Sequence, residues 1–252
     1  MSLVVNQLEC GYRGQRIVGP ASFELEQSDG LALLGPNGSG KTTLLKTLVG
    51  TLRPISGSAK LAGEIAPATQ EWSRSVAFVP QEEAVSFPFT VREIVMMGRM
   101  PWSPGFRDTE EDIAATNAAL QRADCLKLAD RPVTEMSGGE KQRTLIARAL
   151  AQIGQDRSRP RVLILDEPAT HLDFAHQTML VSLIRELREE GVIVIASWHD
   201  LHLPAHACNI VALMLNGQLQ RLGSIADTLK PEILSATFGA QFYVESTPVL
   251  KF

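Results

Sequence analysis

The chain has 252 residues, 44% hydrophobic and 21% charged, with a formal net charge of -4. That balance is ordinary for a folded globular protein, and it excludes a nucleic-acid binder held by bulk positive charge. No apolar run approaches the ~18 residues of a membrane span, so any membrane role has to come through a partner.

Met1 to Asn6 lack the basic start and long apolar core of a signal peptide, and a cytoplasmic chain is expected. Cys10, Cys125 and Cys208 lie far apart with no metal-type spacing; reduced, mostly buried thiols are expected. Residues 3–9 and 21–27 read as paired strands around Gly11, Gly14 and the Gly19-Pro20 turn. The apolar run 31–34 reads as a buried strand, and 43–49 as a helix stopped by Gly50.

Between them stands Gly35-Pro36-Asn37-Gly38-Ser39-Gly40-Lys41-Thr42-Thr43, which fits G-x-x-x-x-G-K-[ST]. Glycines let the backbone turn and bring successive N–H groups against phosphate oxygens. The Lys41 ammonium reaches terminal phosphates, and the Thr42 hydroxyl is a ligand for Mg²⁺. Strand, glycine loop and helix N-terminus together bind anions.

Residues 51–63 are turn-rich, and 75–79 read as a strand ended by Pro80. From 84 to 153 the character changes to proline-punctuated helical segments at 91–97, 109–123 and 136–153. We read 84–153 as a helical subdomain inserted between the halves, 1–83 and 154–252, of one α/β core. A polar loop, 154–160, precedes the apolar strand 161–165. An amphipathic helix, 177–190, then leads to the β-branched strand 192–196. Such alternation implies a mostly parallel sheet with both faces covered. Residues 209–215 and 218–222 read as a hairpin, and 224–252 as short helices and a terminal strand, with Pro231 opening a helix.

Asp166 and Glu167 close the apolar strand at 161–165. An acidic residue there, beside a phosphate loop, can hold Mg²⁺ directly or through water, and its neighbour can polarise the attacking water. Ser137-Gly138-Gly139-Glu140 is an S-x-x-E capping box opening a helix, yet it holds two glycines, each costing about 1 kcal/mol there. Glycines that allow close backbone approach make it a second candidate anion site.

With these residues together, the chain resembles the ATP-binding cassette (ABC) ATPase family. The 35–43 loop matches its Walker A motif, 162–167 its Walker B, and Ser137-Gly138-Gly139-Glu140 its signature, with Met136 where Leu is common. Gln81 falls at the Q-loop, His171-Leu172-Asp173 at the D-loop and His199 at the switch histidine. Tyr12 falls where the family stacks an aromatic ring on adenine. The resemblance implies a P-loop NTPase fold with an N-terminal antiparallel β subdomain. It implies that Lys41 and the loop amides hold the β- and γ-phosphates, and that Thr42, Gln81 and Asp166 surround Mg²⁺. Glu167 is then the general base or water-orienting group, and His199 a γ-phosphate contact. Ser137, Gly138, Gly139, Glu140 and Asp173 act on the partner chain's ATP, so a homodimer is implied.

Val95-Met96-Met97-Gly98-Arg99-Met100-Pro101 and Leu172-Asp173-Phe174-Ala175-His176-Gln177 are similar to stretches of ATPases serving iron–siderophore, haem and cobalamin importers. That likeness implies an integral-membrane permease dimer, indirectly a substrate-binding protein, and a peripheral place on the cytoplasmic face of the cell membrane. An ABC ATPase for another cargo or for export is the alternative, with a soluble non-transport ATPase behind it. Apolar residues within 81–105 are expected to divide between a subdomain core and a groove for the permease. His171, His176, His202 and His206 read as surface or helix polar residues, and the role of Trp198 is left open.

Overall fold

A computed structural model of the chain describes residues 1–65, 70–81, 87–102 and 108–243. Two sheets form its frame. The first pairs β1 (Ser2–Tyr12) with β2 (Gln15–Glu26) and with β4 (Ser56–Leu61), and β4 with β5 (Glu64–Ile65), all antiparallel. The second sheet holds β3 (Gly30–Leu34), which precedes β4 in the chain, and β6 (Val76–Val79). It also holds β7 (Val162–Leu165), β8 (Ile193–Ser197), β9 (Ile210–Leu215) and β10 (Gln218–Ser224). Its strand order is β10-β9-β3-β8-β7-β6, parallel throughout except for the β9–β10 hairpin. The fold class read from the sequence, α/β with an antiparallel N-terminal sheet, is the one observed.

The buried strands read as unbroken apolar runs because both faces of the second sheet are covered. On one side, α1 (Lys41–Val49) and the antiparallel sheet enclose a core that includes Leu31, Leu33, Leu44, Leu48 and Ile164. On the other side lie the helices α3 (Val91–Met96), α4 (Glu110–Arg122) and α5 (Gly138–Ile153), together with α6 (Phe174–Glu189). Their core, with Val95, Leu120, Ile146 and Ile184, runs continuously onto Leu163, Leu165 and Val194 of the sheet. Each of α3, α4 and α5 opens on a capping box, from Thr90, Thr109 and Ser137, which satisfies N–H groups the first turn leaves free. The three cysteines are buried and unpaired.

Several elements depart from the sequence expectations. The turn-rich segment 51–63 contains β4, because pairing with β1 outweighs the weak strand preference of Ser56, Gly57 and Ser58. A short helix, α2 (Gln70–Ser75), precedes β6, so Ser75 ends a helix rather than starting a strand. Helix α6 starts at Phe174, earlier than expected, because Asp173 caps it. A further short helix, α7 (His202–Ala207), follows β8. The hairpin turn at Asn216 and Gly217 has φ of 51° and 75°, the left-handed pair that a two-residue turn requires. After it come α8 (Ile225–Thr228) and α9 (Pro231–Phe238), with Pro231 in the first turn as expected. The expected terminal strand is not found among the described residues; 244–252 lie outside them.

The 154–160 loop is exposed from Gln155 to Ser158 but tied at its end. Arg159 pairs with Glu71 and lies over the Trp102 ring, 5.6 Å from its centroid. Of the apolar set at 81–105, Val91, Ile94 and Val95 are core, whereas Phe87, Phe89 and Met100 are exposed; Val85 lies outside the described residues.

Candidate active site

The 35–43 loop joins β3 to α1 at the C-terminal edge of the parallel sheet, where ligands of such sheets bind. Gly40 is the N-cap of α1 with φ of 98°, and a Cβ there would lie 2.3 Å from Val18 Cγ2 on β2. Only glycine meets both the turn and the close approach. Lys41 is 5% exposed, and its Nζ donates to the carbonyls of Gly35 at 2.8 Å and Pro36 at 3.3 Å. Burial pushes its ammonium below the ordinary lysine range, against the pull of Glu167 and Asp166.

Asp166 and Glu167 emerge from the end of β7, and Ser197 at the end of β8 fixes both. The Ser197 hydroxyl donates to Asp166 Oδ1 at 2.6 Å and accepts from the Glu167 N–H at 2.9 Å. Glu167 has φ of 50°, a left-handed conformation that costs a non-glycine residue about 1–2 kcal/mol. The hydrogen bond to Ser197 helps hold it there. The strained turn aims the carboxylate at the loop. Gln81 Nε2 donates to Glu167 Oε2 at 2.5 Å, and His199 Nε2 lies 2.6 Å from the same oxygen.

These groups border one cleft of about 510 Å³, lined by Ile17, residues 37–43, Gln81, Glu167 and His199. Gly35 and Pro36 do not line it but contact it through the Lys41 ammonium, and Asp166, 1% exposed, is buried next to Glu167. Tyr12 is 43% exposed at the end of β1 and does not line this cleft; Ile17, across the same hairpin, does. Sequence reading missed both Ile17 and Ser197. Trp198 is 2% exposed and packs into the core beside His199.

Ser137, Gly138, Gly139, Glu140 and Asp173 lie elsewhere. With Arg143, His171 and His176 they line a second cleft, of about 520 Å³, that shares no lining residue with the first. Ser137 caps α5, and Glu140 Oε2 accepts from the Ser137 N–H and hydroxyl, both at 2.8 Å. These bonds, the backbone one foremost, hold the Glu140 carboxyl below its ordinary range. A Cβ on Gly139 would lie 3.0 Å from the His171 carbonyl oxygen, so the helix start and the 169–172 turn are in close contact. His176 is more than a surface residue: its Nδ1 lies 2.7 Å from Asp173 Oδ1. Among the described residues no group of three or more His, Cys, Asp or Glu is arranged to hold a metal, and no helix is long and apolar enough to cross a membrane.

Known proteins resemble this chain in sequence and in fold. The ABC transporter family matches residues 18–170. The chain is 37% identical, over 98% of its length, to the cobalamin import ATP-binding protein BtuD of Halobacterium salinarum, of which it spans 61%. It is also 37% identical to the hemin import ATP-binding protein HmuV of Myxococcus xanthus, over 98% of this chain and 94% of that one. Among solved structures, an inward-facing ABC transporter described as metal-chelate type shares a TM-score of 0.81 at 31% identity, over 95% of this chain and 90% of that one. A nucleotide-free ATP-binding cassette has the same TM-score of 0.81 at 20% identity, over 95% and 100% of the two chains, a likeness of fold alone.

Proposed function

Because this chain belongs to the ABC transporter family, we propose that it is the ATP-hydrolysing subunit of an importer, working as a homodimer on a separate integral-membrane permease. The observation that carries the reading is the convergence of Gln81 and His199 on Glu167 Oε2, in the cleft formed by the phosphate loop. Glu167 is the general base. It orients a water toward the γ-phosphorus and takes its proton as the new O–P bond forms and the bond to the leaving ADP oxygen breaks. Lys41 and the loop N–H groups hold the β- and γ-phosphates, and His199 faces the γ-phosphate.

The donor set suits Mg²⁺, a hard cation that takes oxygen ligands. Thr42 offers a hydroxyl and Asp166 a carboxylate, and Gln81, whose Nε2 is spent on Glu167, offers Oε1. When bound, the ion neutralises phosphate charge.

The two separate clefts support the dimer. Two chains packed head to tail would bring residues 137–140 and Asp173 of each onto the ATP held by the other. Exposed Phe87, Phe89 and Met100, at 69%, 39% and 71%, support a surface for the permease. The reading places the chain at the cytoplasmic face of the membrane. It also divides the chain into an α/β core (1–83 and 154–252) and a helical signature subdomain (84–153). The names of the relatives support a haem, cobalamin or similar metal-chelate cargo, delivered by a substrate-binding protein. Uptake of haemin and of cobalamin into vesicles carrying the chain and its permease tests the proposal, with Glu167→Gln as control. ATP-dependent uptake of one cargo, lost in the variant, is expected. Uptake of neither overturns haem and cobalamin as the cargo, and unchanged hydrolysis in Glu167→Gln overturns the mechanism.

A further inference from the structure

The stretch Leu172-Asp173-Phe174-Ala175-His176-Gln177 holds two side chains that the ATPase reading leaves without a role. Gln177 Nε2 donates to the Leu172 carbonyl at 3.2 Å and lies 3.5 Å from that of Ala169. It ties the 169–172 turn, which packs His171 on Gly138 and Gly139, to the first turn of α6. His176 does more. Its backbone N–H donates to Asp173 Oδ1 at 2.9 Å as the helix cap, and its ring Nδ1 lies 2.7 Å from the same oxygen. The other ring nitrogen, Nε2, lies 3.9 Å from Asp124 Oδ2. Asp124 follows α4, which packs on α5, the helix whose start lines the second cleft. One imidazole therefore stands between two carboxylates, one on the turn that carries Asp173 and one on the helical region.

We propose that His176 is a positioning residue for the second half-site, and that its imidazolium bridges Asp173 to Asp124. In this way it sets the spacing between the 169–173 turn and the start of α5. The inference rests on the ATPase reading above. Its chemistry is simple. The imidazolium has an N–H for each carboxylate. Neutral imidazole has one, so its second nitrogen turns a lone pair toward a negative oxygen. Asp173 stays ionised across this change, because the His176 backbone N–H, then its ring, holds the carboxyl below the ordinary range. The other charged or titratable groups facing His176 across the cleft are Glu140, Arg143 and His171. Glu140 is held ionised chiefly by the Ser137 N–H.

The test is steady-state ATPase of the full chain in His176→Ala, His176→Arg, Asp124→Asn and the double variant His176→Ala/Asp124→Asn. The helix cap uses the His176 backbone N–H, so all four keep it. Each neutral single variant should lose about 2- to 5-fold in kcat, the size of one partly exposed ion pair, with KM for ATP unchanged. The double variant should lose no more than either single. His176→Arg, a cation with N–H groups for both carboxylates, should restore the rate lost in His176→Ala. Asp124→Asn, at an exposed position, carries the test if His176→Ala folds poorly. Additive losses, a His176→Arg rate no better than that of His176→Ala, or single variants indistinguishable from wild type overturn the bridge. Glu167→Gln run alongside separates the failures: if it hydrolyses ATP at the wild-type rate, the ATPase reading is what has failed.

Discussion

His199 Nε2 lies 2.6 Å from Glu167 Oε2, an oxygen that already accepts from Gln81 Nε2 at 2.5 Å. Two residues from different loops thus set the orientation of one carboxylate. Glu167→Gln keeps the shape and removes the proton acceptor, so we expect kcat to fall about 10²- to 10⁴-fold with ATP affinity retained. Single-turnover hydrolysis and an ATP titration on the same preparation check this. Equal loss of binding and turnover would contradict the assigned role.

Lys41 gives the converse expectation. Its Nζ is a buried cation bonded to the carbonyls of Gly35 and Pro36, along the loop proposed to hold the phosphates. Lys41→Ala should weaken ATP binding by about 1.5–3 kcal/mol, roughly 10- to 150-fold in Kd, the worth of a hydrogen bond to a charged group. Equilibrium titration with a fluorescent ATP analogue measures it, and unchanged affinity would remove Lys41 from the site.

Ser197 carries a stability expectation. It is fully buried, and its hydroxyl serves Asp166 and the Glu167 N–H together. Ser197→Ala leaves a buried carboxylate and a buried N–H each short of a partner. We expect a loss of about 1–3 kcal/mol in stability for each unsatisfied group, and a drop in turnover because the strained Glu167 turn loosens. Urea unfolding and kcat measured together test both halves, and a variant with wild-type values in each would refute them.

Ser197 also shows where sequence reading stops. The 35–43 loop, Asp166-Glu167 and the Ser137 capping box were legible as motifs because each is a fixed local spacing. Ser197 only closes a β-branched strand, and nothing beside it in the sequence marks it. Its place comes from the parallel register that sets Leu165 opposite Ala196, so the next residues, Asp166 and Ser197, meet. Ile17 reaches the cleft for a similar reason, through the β1–β2 pairing. Strand β4 was illegible because its partner β1 decides it. The division of 137–140 and Asp173 from the first cleft was implied by family resemblance and not by any local pattern.

Glu140 provides a pH test. Its carboxyl sits below its ordinary value of 4.5 in the folded chain, chiefly because the Ser137 N–H donates to it. A carboxyl lowered on folding contributes stability that is full at neutral pH and is lost as pH falls through the lowered value. The Tm gap between wild type and Glu140→Ala should therefore be open at neutral pH and narrow in acid. Ser137→Ala should cost about 0.5–2 kcal/mol as a lost cap. A gap that widens in acid would mean the carboxylate is not the capping group.

The central claim is that one ATP site draws on two chains, because the phosphate loop and the Ser137 helix start line clefts with no residue in common. The most direct measurement is the mass of Glu167→Gln by light scattering after gel filtration, with and without MgATP. The account predicts a monomer without nucleotide and a dimer with it, and a monomer in both conditions when Ser137→Arg is added. An ATP-bound Glu167→Gln chain that stays monomeric would contradict it.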